Sequence, residues 1–69
     1  MKYIRLGATL VIPETRILEL RSRQEPDECV LVYGEGLTHN VAYLTCSLAH
    51  AVARLLTDAA PLLPVRSPP

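Results

Sequence analysis

Cys29, His39, Cys46 and His50 are the residues in this chain whose types could bind a metal or supply a nucleophile. Together they make a Cys₂His₂ complement, one of the recognised structural zinc sets. Cys46 and His50 are four apart, which would place them on one helical face if the helix begins early enough. The spacing argues against zinc. Neither the cysteines nor the histidines form the close pairs with which small zinc domains grip the metal. The competing reading makes Cys29 and Cys46 small buried hydrophobes and places His50 on the wet side of a helix near Arg54. A thiol enzyme would need Cys46 at a helix N-terminus with His50 as base, but no third orienting group suggests itself. No catalytic residues and no cofactor are expected, and a small zinc domain stands as the alternative.

Two loops invite and fail a ligand reading. Gly34-Glu35-Gly36 lacks the lysine and following helix of a phosphate cradle, and Glu35 would repel an anion. Glu25-Pro26-Asp27-Glu28 does not place oxygen ligands at the alternating positions of a calcium loop. A hairpin turn and a solvated loop account for them.

The elements that must position these residues follow from periodicity. Between Tyr3 and Ile12, Ile4, Leu6, Ala8, Leu10 and Ile12 share one parity, the pattern of a half-buried strand that Gly7 could split in two. Pro13 ends it. Arg16–Arg23 reads as a second strand, and Cys29–Tyr33, β-branched and aromatic, as the clearest one. Gly34-Glu35-Gly36 then serves as the hairpin loop, and Leu37 onward returns as a fourth strand. Leu48, Val52, Leu55, Leu56 and Ala59 share a helical face. Thr45 or Ser47 is the favoured N-cap, Asn40 the alternative, and Pro61 the stop.

That loop would pair Tyr33 with Leu37, Leu31 with His39 and Cys29 with Val41, so odd-numbered residues of both strands would share the face under the helix. The expected core is Ile4, Leu6, Leu10, Ile12, Leu18, Leu20, Leu31, Tyr33, Leu37, Val41, Leu48, Val52, Leu55 and Leu56. The opposite face would carry Val11, Ile17, Val30 and Val32 beside Arg5, Glu19 and Arg21. A helix of about 15 residues spans roughly 22 Å and cannot cover both faces of a sheet. Uncovered Val and Ile on a sheet mark a partner surface, so these four residues are the candidate interface.

With 69 residues there is one domain, and so small a core leaves a thin stability margin that oligomerisation could widen. Seven basic and seven acidic side chains cancel, and the run Arg16, Arg21, Arg23 is broken by Glu19 and followed by Glu25, Asp27 and Glu28. A nucleic-acid partner is not expected, since phosphate binding wants a basic excess. Nor is a membrane. The apolar stretch Val41–Leu63 is interrupted by His50, Arg54 and Asp58, where a span needs about 20 mostly apolar residues. Met1-Lys2-Tyr3-Ile4-Arg5 does not resemble a secretory signal, so the expected compartment is the cytoplasm, where the two cysteines stay reduced and unbridged.

The order of Glu25-Pro26-Asp27, a β-run, a glycine, another strand and a short helix resembles the small FlbD-type flagellar proteins of bacteria over about half of the chain. The likeness carries no site residue over. The whole reading is an α+β domain over residues 1–61, with an antiparallel sheet of three to four strands and one C-terminal helix on a single face. Residues 62–69 form a Pro-rich tail, disordered or docked on a neighbour. The expected function is a non-enzymatic interaction or regulatory module that pairs with itself, as a homodimer or larger assembly, through the sheet face opposite the helix.

Overall fold

A computed structural model describes residues 2–66. The fold is α+β, with six strands in two three-stranded sheets and one helix. β1 (Tyr3–Leu6) and β2 (Leu10–Pro13) form a short antiparallel hairpin that pairs Ile4 with Ile12 and Leu6 with Leu10. The chain reverses at Gly7, whose φ of +65° is left-handed backbone that only glycine adopts without strain. The expected break at Gly7 is therefore a full turn, and the alternating residues fold back on themselves. A 3-10 turn at Glu14–Arg16 leads into β3 (Ile17–Ser22), which pairs with β4 (Cys29–Glu35), and β4 pairs with β5 (Thr38–Leu44).

The β4–β5 register corrects the expected one. Glu35 pairs with Thr38, Tyr33 with Asn40, Leu31 with Ala42 and Cys29 with Leu44. The loop is the two residues Gly36 and Leu37, with φ +63° at Gly36 alone, which fits a type II′ hairpin turn. Thr38 Oγ1 donates to the Glu35 carbonyl at 2.8 Å and Asn40 Nδ2 to the Glu35 carboxylate at 2.9 Å, so side chains hold the tighter loop. A shift that changes parity turns every β5 side chain over. Ala42 and Leu44 therefore go into the core, and Val41 and Tyr43 point outward at 48% and 46% exposure. Leu37, expected inside, sits at the loop tip in full solvent. Leu18, also expected inside, occupies a bulge between Ile17 and Glu19 and turns out, while Ile17, expected outside, packs on the core.

The helix α1 (Leu48–Thr57) starts at the favoured cap. Ser47 Oγ accepts from the His50 N–H at 3.1 Å. It ends at Thr57, ahead of Pro61, and Lys2 Nζ donates to the Leu55 carbonyl, one of the terminal acceptors a helix leaves unpaired. Its buried contact is Ala51, flanked by half-buried Leu48 and Leu55. Val52 and Leu56, expected in the core, are exposed. The small side chain of Ala51 lets the helix backbone sit close, which rotates the larger residues beside it away from the contact.

The stretch after the helix is the largest correction to the expected tail. Pro61 and Leu63 are fully buried, and β6 (Leu62–Leu63) pairs in parallel with β1. Arg5 of β1 and Gly7 just after it donate to the carbonyls of Pro61 and Leu63 at 2.9 and 3.0 Å. Further on, Thr45 donates to Pro64 at 3.0 Å, Arg66 to Tyr43 at 2.7 Å, and Val65 bridges Leu44. Residues 61–66 thus lie between β1 and β5 and join the two sheets around one core of Ile4, Leu6, Ile12, Cys29, Leu31, Ala42, Leu44, Ala51 and Leu63. Leu10 is marginal to it at 39% exposure. The rest of the expected tail, 67–69, lies outside the described residues.

Candidate functional site

The four candidate metal ligands do not converge. Cys29 is fully buried at the start of β4, and Cys46 is half-buried between β5 and the helix. His39 is exposed beside the hairpin loop opposite Gly34, and His50 is exposed on α1. Among the described residues no three His, Cys, Asp or Glu side chains come together as a metal site. Because α1 begins at Leu48, Cys46 lies ahead of it and does not share a helical face with His50. Cys29 and Cys46 are both free thiols. Burial above all, and then the nearby Cys46 thiol, push the Cys29 pKa up to about 11, so it stays protonated and unreactive near neutral pH.

The expected interface residues are distributed over three settings. Val30 and Val32 lie together, half-buried, on the outer face of the second sheet. Val11 is 55% exposed on β2 of the first sheet, and Ile17 packs against the core. The residues that do accompany Val30 and Val32 include Val41 and Leu18, both expected in the core. Val41 lies directly beside Val32 and Tyr43 beside Val30. Leu18, 53% exposed, extends the row toward Gly34, where a Cβ would lie 3.7 Å from its Cδ1. The bulge that displaces Leu18 has no sequence signal of its own, whereas the tight loop that exposes Val41 and Tyr43 has a cue only in Thr38 and Asn40, two side chains able to bond back to Glu35.

Charges frame this apolar row. Glu19 sits beside Val32 and Arg21 beside Val30. Arg21 Nε donates to Glu19 Oε1 at 2.7 Å, a bond that holds the Glu19 carboxyl below the usual range and raises Arg21. The Arg23 guanidinium stacks 5.0 Å above the Tyr43 ring and pairs loosely with Glu28. A cleft of about 410 Å³ lies elsewhere, lined by Gly7, Ala8, His50, Arg54, Leu62 and Pro64.

No family model, curated protein or solved structure matches this chain. No family is assigned, and the likeness to FlbD-type proteins carries no further weight. Among the described residues, no helix is long and apolar enough to cross a membrane.

Proposed function

We propose that the protein is a non-enzymatic interaction module of regulatory type that pairs with a second copy of itself through the outer face of its second sheet, in the cytoplasm. The observation that supports this reading is the contiguous apolar row Leu18, Val30, Val32, Val41 and Tyr43, of which Leu18, Val41 and Tyr43 are about half exposed. Monomeric proteins seldom leave adjacent large apolar side chains on an open sheet face, and a domain this small gains more than most from burying them. A copy of the same chain suits the patch electrostatically. Glu19 and Arg21 carry opposite charges on one face, so a two-fold pairing can set each against the other's partner. The chain is also formally neutral, so two copies do not repel through net charge.

Val32→Lys tests this reading. Val32 is half-buried on the outer face, and a lysine there can lead its ammonium to solvent. Light scattering coupled to size exclusion is expected to show a dimer or larger assembly at micromolar concentration for the parent and a folded monomer for the variant. A monomeric parent across that range, with stability unchanged on dilution, would overturn the proposal.

A further inference from the structure

We propose that the cleft between the β1–β2 turn, α1 and the β6 segment binds a small monocarboxylate carried on an apolar group. None of its lining residues belongs to the second sheet, so it is a different surface from the self-pairing face. Its volume of about 410 Å³ lies inside the range of small-molecule sites, about 300–1,000 Å³. Gly7, Ala8, Leu62 and Pro64 supply apolar walls, and the two polar side chains, His50 and Arg54, are one helical turn apart on α1. Such a lining excludes water from an apolar body and orients one polar head.

Arg54 decides the chemistry of that head. Its Nε is buried and lies 2.9 Å from Asp58 Oδ2, yet no aligned hydrogen bond reaches it. Its Nη2 meets the Leu62 carbonyl only at 3.5 Å, beyond the ordinary N–H···O range. Asp58 takes the Nε edge of the guanidinium and Nη2 meets only the distant Leu62 carbonyl, so the Nη edge keeps donor capacity for an incoming acceptor. A carboxylate matches that edge in shape. It also matches in charge. Asp58 offsets the positive charge of Arg54, which disfavours a doubly charged phosphate more than a singly charged carboxylate. The β1–β2 turn forms the rim opposite the helix. Gly7 holds φ +65°, and a Cβ there would already touch Val65 at 3.6 Å.

The test is a proton–nitrogen correlation NMR titration of the full chain with benzoate, benzamide and inorganic phosphate in parallel. Benzoate is expected to shift the amides of Gly7, Ala8, His50, Arg54 and Leu62, and to bind at least about tenfold more tightly than neutral benzamide, since a charged hydrogen bond is lost in the amide. Phosphate should leave those amides unmoved. Arg54→Gln is expected to weaken benzoate about tenfold. Because that variant also loses the Asp58 pair, Ala8→Leu provides a second arm, filling the cleft from an exposed turn residue while the core is untouched. It should abolish the shifts in a folded protein. The proposal fails if benzoate moves none of these amides at about 10 mM, above a weak millimolar Kd, if benzamide equals it, or if Ala8→Leu leaves binding intact. The oligomeric state reads the sheet face independently of all three outcomes.

Discussion

The two faces of the second sheet are built from the same strands, often from adjacent residues, and end in opposite surroundings. Inward, Cys29, Leu31, Ala42 and Leu44 are essentially without solvent, whereas outward Leu18, Val41 and Tyr43 keep about half of their surface in water. Hydrophobicity does not separate them, since Val41 is more apolar than Ala42 beside it. What separates them is cover. Helix α1 and the 61–66 segment lie over the inner side, whereas the outer one has only the Arg23 side chain over Tyr43 and no helix or strand among the described residues across it. The inner face shows how the chain stabilises itself, and the outer face shows where it has apolar surface left to offer.

The sharpest way to break the comparison is to remove cover from the inner face. Leu31→Ala and Leu63→Ala should each cost about 2–5 kcal/mol, as core truncations that leave cavities do. Both side chains are fully buried, one in the sheet and one in the two-residue strand that closes over it. A small domain holds only about 5–15 kcal/mol in all, so either change can unfold a large fraction of the molecules. Chemical denaturation measures this. An unchanged midpoint for Leu63→Ala would mean that residues 61–66 do not cover the core in solution.

A smaller effect is expected from the ionisation of Cys29, at the buried edge of the same face. Its pKa is raised to about 11, first by burial and then by Cys46. The unfolded chain gives up this proton near 8.5, the ordinary thiol value. The native state thus favours the protonated thiol, and the sign follows from linkage. The contribution is fully present below about pH 8.5 and is lost as pH rises toward 11, on the order of 3 kcal/mol in total. Cys29→Ala should lower stability at neutral pH through its cavity, yet show a flatter decline over this alkaline window. Parallel denaturation curves from pH 8 to 11 for parent and variant would remove burial of Cys29 as the cause.

Most of the elements were legible in the sequence, and their faces less so. The alternation before Pro13, the β-branched run after Cys29 and the cap at Ser47 all appear as strands and helix start. They are local signals, written in residues that favour one backbone conformation over others. The sidedness of β5 was not legible from spacing, because two glycines flanking Glu35 admit either a three-residue or a two-residue loop. Bonds from Thr38 and Asn40 to Glu35 settle which forms. The helix face differs from the expected one because the contact centres on Ala51, a small residue outside the leucine-rich stripe. The role of Leu63 was hidden for a different reason. A two-residue strand between prolines has no period to read, and it gains its pairing only from β1, which lies more than fifty residues earlier in the chain. Of the candidate interface, Val30 and Val32 were found by alternation alone, whereas Val41 and Tyr43 depended on the register and Leu18 on the bulge.

Val41→Lys sharpens the comparison with the smallest expected effect on the fold, and it tests the hairpin register at the same time. Val41 sits opposite Val32 on the outer face with 48% of its surface exposed, so a lysine can lay its stem along the sheet and keep its ammonium in water. Stability of the dilute monomer should change by no more than about 0.5 kcal/mol, the usual range for surface positions. The adjacent substitution Ala42→Lys would instead put a charge beside Leu31 in the core, where no partner waits, and should unfold the domain. A three-residue loop reverses this expectation, because it would pair Val41 with Cys29 and turn Ala42 outward. Circular dichroism of the two variants side by side therefore identifies the face, whatever the protein's oligomeric state. A folded Val41→Lys and an unfolded Ala42→Lys fit the two-residue loop. The converse pair would move Val41 and Tyr43 into the core and remove them from the outer row on which the self-pairing proposal rests.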